Sequence, residues 1–116
     1  MSHATTIAVL LVALLHVYFL IMEMFLWTKP VGLRAFGLTP ERAEASKVLA
    51  ANQGLYNGFL AAGLLWGTLG GGFHVKIFFL ACVVVAGVFG GITANRKILY
   101  VQALPGLIAL VMVHLV

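Results

Sequence analysis

Charge is scarce in this 116-residue chain. Only 9% of the residues are charged, 63% are hydrophobic, and the mean hydropathy is +1.12. A composition of that kind excludes an ordinary soluble globular domain. Cysteine is almost absent: Cys82 stands alone, so no intrachain disulfide can form and the redox compartment is left open. The opening Met1-Ser2-His3-Ala4-Thr5-Thr6 has neither Lys nor Arg. It therefore lacks the basic start of a secretory signal, and no small-residue cleavage site follows, so the first apolar segment is expected to be retained. Signatures of soluble catalysis are missing too. The glycines have helix-packing spacing rather than that of a phosphate loop, and no Ser-His-Asp or Cys-His set is readable. His16, Glu23 and His114 lack the ligand spacing of a metal site, so no metal is expected.

What is present is apolar sequence in four blocks, about 5–27, 48–69, 73–94 and 98–116. Each is near the roughly 20 residues needed to cross about 30 Å of hydrocarbon. The expected fold is all-α, an integral membrane four-helix bundle that forms a single transmembrane domain over residues 1–116, with the lipid bilayer as its solvent. Lys29, Arg34, Arg42, Lys47, Arg96 and Lys97 fall in or beside the first and third connections, and Lys76 lies alone on the other side. This bias places connection 28–47 in the cytoplasm and both termini outside. It also accounts for the net charge of +4 without nucleic acid as a partner.

The connections have their own punctuation. Lys29-Pro30 closes the first helix, because proline disfavours helical geometry in the residue before it. Thr39-Pro40-Glu41 opens the second: Thr39 can cap, Pro40 suits the first helical position, and Glu41 and Glu44 complement the positive helix end. With no breaker before Gly70-Gly71-Gly72, this helix is expected to run from Pro40 to about Leu69. At about 45 Å it exceeds the hydrocarbon thickness, so its first turns extend into the cytoplasm. The three glycines and Asn95-Arg96-Lys97 each read as a tight turn, and Pro105 is expected to kink the fourth span. Trp27 and Trp66 suit the two interfacial belts. The pairs Gly54/Gly58, Gly63/Gly67 and Gly87/Gly91 have GxxxG spacing, which serves close packing within one bundle or between subunits. With so thin an interior, a homo-oligomer is expected.

Against this apolar background Glu23 stands out. A charge inside a span costs roughly 2.5–3.5 kcal/mol on insertion scales and usually faces protein or water. On the second helix Asn52, Gln53, Tyr56 and Asn57 lie at about 0°, 100°, 40° and 140°, with Gly54 and Gly58 near 200° and 240°. Together with Arg96, Tyr100 and Gln102, these residues cluster in one leaflet, and the set predicts a cytoplasm-facing polar pocket for a small polar or amphipathic ligand. The alternative is a set of interhelical hydrogen bonds that only hold the bundle, each worth about 0.6 kcal/mol. Glu23 itself reads either as a structural carboxylate paired with Arg96 or Lys97, or as a proton carrier or general acid/base. His16, one heptad earlier on the same face and about 10 Å away, could relay protons to it.

Three stretches carry a resemblance: Glu23-Met24-Phe25-Leu26-Trp27, Phe36-Gly37-Leu38-Thr39-Pro40-Glu41, and Lys47 through Gly58 with its Ala-Asn-Gln-Gly-Leu-Tyr-Asn-Gly core. Through them nearly the whole chain resembles a widespread bacterial family of small four-span membrane proteins of unknown function, which implies a multi-pass protein of the bacterial inner membrane. In layout the chain is also similar to the membrane-associated proteins of eicosanoid and glutathione metabolism. That likeness implies a homotrimer that binds glutathione between subunits on the cytoplasmic side. Asn52 and Tyr56 keep that family's Asn-to-Tyr spacing, and Lys97, Tyr100 and Gln102 match the start of its fourth helix. Leu55 and Val48 stand where it has an acid and an arginine. Small multidrug transporters share the length, the four spans and one carboxylate in the first span, without a shared motif. Three functions follow as expectations: a glutathione-transferase-like binder or enzyme, a proton-coupled exporter using Glu23, and an accessory subunit of a larger membrane complex.

Overall fold

The computed structural model describes residues 2–115. Among them every regular element is helical: α1 (His3–Met24), α2 (Pro30–Phe36), α3 (Pro40–Trp66), α4 (Phe73–Thr93) and α5 (Leu104–Leu115). Two π-helical turns, Gly67–Gly71 and Leu99–Ala103, follow α3 and precede α5. Helices α1 and α4 are long and apolar enough to cross a membrane, and Leu99–Leu115 is a shorter apolar stretch. Helix α3 is long enough, but Asn52, Gln53 and Asn57 lower its hydropathy, and Glu41, Arg42, Glu44 and Lys47 occupy its first turns.

The chain divides into two compact units. One comprises the residues up to Leu14 and from Leu60 onward, and the other is Leu15–Phe59. The first is built around Val9, Val12, Ala13, Leu64, Leu80, Val83, Ala109 and Val113, with Ile77, Phe79 and Leu110 packed on this core. Small residues bring its helices together. A Cβ on Gly87 would stand 2.5 Å from the Ala103 amide nitrogen, and one on Gly63 would stand 2.4 Å from the Phe79 ring. Gly91 receives Leu99 in the same way, and Gly67 receives the aliphatic stem of Lys76.

The turns expected at Gly70–Gly72 and at Asn95 both form. Gly72 has φ 88°, a left-handed conformation that glycine adopts without strain. The Asn95 carboxamide oxygen accepts from the Lys97 amide at 2.9 Å. Around Pro105 the helix widens into a π turn. Proline has no N–H to donate to Val101, and the last π bond runs from the Leu104 amide to the Leu99 carbonyl, directly before the ring.

The second unit shows why α3 starts where it does. The Thr39 hydroxyl accepts from the Arg42 amide at 3.2 Å, and Pro40 takes the first helical position, as the sequence predicts. The helix ends at Trp66 and not near Leu69, because the glycine-rich segment passes into the π turn. Connection 28–47 carries an extra helix, α2, with Pro30 in its first turn and Gly37 as its left-handed cap at φ 63°. The Leu38 amide reaches back to the Leu33 carbonyl at 2.9 Å and closes α2. Pro30 starts this new helix, but it does not end α1 as the sequence predicts: α1 has already stopped at Met24, and turns fill the residues between. Trp27 pins this connection. Its ring lies 4.8 Å from that of Phe36, and its indole N–H donates to the Ser46 hydroxyl at 3.0 Å. Ser46 in turn donates to the Arg42 carbonyl at 2.7 Å.

Close approach at Gly87 yields a direct expectation. Gly87→Ala overpacks the contact with Ala103 and should cost about 1–3 kcal/mol, read as a lower midpoint of thermal unfolding in detergent. Gly70→Ala, with nothing within 4 Å of its Cβ position, should leave the midpoint nearly unchanged.

Candidate polar site at Glu23

Within the second unit, α1 and α3 meet through small side chains. Cβ atoms on Gly54 and Gly58 would stand 2.7 Å from Met24 Cγ and 2.6 Å from Leu20 Cδ1. All three glycine pairs of the sequence are thus occupied by contacts within the chain itself. The close approach at Gly54 brings the last turn of α1 against α3, and there Asn57 Nδ2 donates to Glu23 Oε1 at 2.6 Å. Asn57 is 6% exposed and Glu23 half-buried. A short hydrogen bond to a carboxylate is of the stronger kind. Its partner is a neutral carboxamide: among the described residues the one ion pair is the exposed Lys47–Glu44 pair. Such an exposed pair contributes little to stability.

Beside Glu23 lies an open recess of about 340 Å³, lined by Glu23, Met24, Phe25, Trp27, Thr28, Lys47, Val48 and Ala51. Glu23 and Lys47 thus share an otherwise largely apolar concavity, with the Lys47 ammonium itself paired to the exposed Glu44. That arrangement suits an amphipathic molecule carrying both charges, and a carboxylate held by a neutral amide can also exchange a proton without breaking an ion pair. His16, fully buried, lies edge-on to Phe19 with ring centres 5.3 Å apart. Among the described residues no three His, Cys, Asp or Glu side chains group as metal ligands.

The predicted site residues part company here. Glu23 and Asn57 are brought together. Asn52, Gln53 and Tyr56 are exposed on the outer side of α3 and do not line the recess. Arg96 and Tyr100 are exposed and Gln102 half-buried, all three in the other compact unit. The division on α3 follows from its packed face. That face centres near the direction of Ala43, Ala50 and Gly54, and Asn57 is about 60° from Gly54 while Asn52 is about 160° away. Lys47, Trp27, Thr28, Val48 and Ala51 were not expected in the site. Lys47 and Ala51 are one helical turn apart, a spacing that could have placed them together.

If the 2.6 Å contact holds the two helices, Glu23→Ala and Asn57→Ala should be strongly non-additive. A double-mutant cycle on thermal or denaturant unfolding should give a coupling of about 1.5–3 kcal/mol, the range for a hydrogen bond to a charged group. Additive effects would mean the contact is not formed.

Comparison with known proteins finds similarity along nearly the whole chain. Residues 10–114 match the model of a family described as a protein of unknown function, DUF1304. An uncharacterised protein of Lactococcus lactis subsp. lactis (strain IL1403), YpaA, is 31% identical over 115 residues, covering 96% of this chain and 97% of that one. No solved structure matches the chain. The extent of the family match and the near end-to-end similarity to YpaA show that this chain belongs to the DUF1304 family.

Proposed function

We propose that the chain is a four-span membrane protein whose Glu23 recess binds a small amphipathic molecule from the cytoplasmic side. Beyond α1 and α4, the spans would be the apolar part of α3 and the segment Leu99–Leu115. The outward surface supports this reading. Leu14, Val85, Phe89 and Ile92 are 64%, 68%, 67% and 76% exposed. Only 22% of the apolar window of α4 is buried, so this is not the enclosed core helix of a soluble protein. Helix α1 supplies Val9, Val12 and Ala13 to the core, which supports a structural role for it. The exposed cations Lys29, Arg34, Arg42 and Lys47 on connection 28–47 support a cytoplasmic location for it, with both termini outside.

The observation that carries ligand binding is the Glu23 carboxylate, oriented by Asn57 and opening on a recess shared with Lys47. An ammonium group on the ligand would meet Glu23, a carboxylate would draw the Lys47 ammonium from its exposed partner Glu44, and an apolar portion would lie on Met24, Phe25 and Val48. Glutathione, with an ammonium, two carboxylates and a thiol, has the complementary charges and is the first probe. Asn52 and Tyr56 do not line the recess, so on this reading their spacing serves something other than holding the ligand. Proton-coupled export of a cation is a second reading. It is favoured by the neutral Asn57 partner, which leaves Glu23 able to trade a proton for a cationic substrate.

Millimolar glutathione should raise the thermal unfolding midpoint of the protein in detergent. The shift should vanish in Glu23→Gln and weaken in Lys47→Ala. If glutathione gives no shift while a lipophilic cation such as tetraphenylphosphonium binds in a pH-dependent manner that Glu23→Gln removes, the export reading takes its place. No response to either probe overturns ligand binding at this recess.

A further inference from the structure

Lys76, the fourth residue of α4, is only 8% exposed. The unit that contains it has no acidic side chain: the chain's three carboxylates, Glu23, Glu41 and Glu44, all lie within Leu15–Phe59. Among the described residues Lys76 has neither an ion pair nor a side-chain hydrogen bond. Its stem is the buried part. Lys76 Cγ stands 2.6 Å from where a Cβ on Gly67 would lie, so the stem fills a slot that glycine leaves open beyond α3. Among the described residues no buried side-chain nitrogen or oxygen lacks a partner, so the unpaired Nζ must reach the surface. Helical side chains lean toward the helix N-terminus, which brings this ammonium group out at the turn Gly67–Gly72.

The same turn carries other donors. The Trp66 indole nitrogen lies 3.0 Å from the Cβ position of Gly71, and among the described residues it too has no hydrogen-bond partner. Gly72 opens α4 without a side-chain cap, so the amides of Phe73, His74 and Val75 have no partner within the helix. A helix start of this kind is positive and accepts anions. We propose that the turn between α3 and α4 is a phosphate-binding site. The Lys76 ammonium, the Trp66 indole N–H and the opening amides of α4 hold the phosphate oxygens through charge-assisted hydrogen bonds. The surroundings favour a phosphate carried by a lipid headgroup over one free in solution. Leu69, Trp66 and Phe73 are 83%, 60% and 44% exposed around the turn, an apolar rim on which acyl chains can lie. The site is separate from the Glu23 recess and needs nothing bound there.

The test is ligand-dependent thermal unfolding of the full chain in an uncharged detergent and phosphate-free buffer. Dioleoylphosphatidylglycerol should raise the midpoint, and dioleoylglycerol, with the same chains and no phosphate, should not. Inorganic phosphate is titrated separately: a response to the lipid alone assigns a headgroup, and a response to inorganic phosphate as well assigns the group itself. Lys76→Met keeps a long apolar stem and removes the charge. It should weaken binding by about ten- to a hundredfold, the loss expected for one hydrogen bond to a charged group. Lys97→Gln, at an exposed cation on the other turn of α4, should leave binding unchanged. Because Lys76→Met also alters a packed slot, Trp66→Phe gives a second reading at an exposed position: the ring stays, the donor goes, and binding should weaken about two- to tenfold. Equal midpoints with the two lipids and no response to inorganic phosphate overturn the site. So does a phosphate-dependent rise that Lys97→Gln lowers as much as Lys76→Met, or that both Lys76→Met and Trp66→Phe leave intact.

Discussion

The structure of the Leu15–Phe59 unit depends on how a carboxylate is accommodated on an apolar helix. Glu23 is not neutralised by a cation. Its oxygen is held by the Asn57 carboxamide at 2.6 Å, and that bond exists because Gly54 and Gly58 let α3 come within contact of Leu20 and Met24. A larger residue at Gly54 would push the helices apart and strand both polar groups, at the cost that unpaired buried polar atoms always carry. The glycines and the amide therefore act together: one sets the distance that the other requires. The same logic runs through the remainder of the chain, where Gly63, Gly67, Gly87 and Gly91 admit Phe79, Lys76, Ala103 and Leu99.

Placing Glu23 at the last turn of α1 has a consequence for chemistry. The carboxylate is only half-buried, so it is both oriented by protein and reachable from the recess. Trp27 closes one side, and its bond to Ser46 ties the chain after α1 to the first turns of α3. Lys47, one turn beyond Ala43 on α3, brings the opposite charge. On the proposed reading the recess would orient a molecule by its charged ends, with the apolar wall accepting what lies between them.

Much of this was legible in the residues, for identifiable reasons. The all-helical fold follows from long apolar blocks. The start of α3 follows from Thr39 and Pro40, where the chemistry is local and one hydrogen bond decides it. Glu23 could be singled out because a carboxylate in such a segment is anomalous on energetic grounds. Helix α2 was hidden because Pro30 was read only as an end, although Gly37 seven residues later marks a helix closing. The π turns depend on how backbone bonds rearrange around Pro105 and the glycines, which side-chain periodicity does not encode. On α3, residue angles separate polar from small positions but do not say which direction faces the neighbouring helix. Asn57 went inward because it lies beside the glycine face; Asn52, Gln53 and Tyr56 went outward because they do not.

On the proposed reading, Glu23 opens on a recess reached from the cytoplasm. The most direct measurement is side-specific labelling of Ala51→Cys, which lines that recess, in a Cys82→Ala background. A membrane-impermeant maleimide should modify it in inside-out vesicles and not in right-side-out ones, and Glu23-directed ligands should slow the reaction. Labelling from the outer face alone would contradict the account.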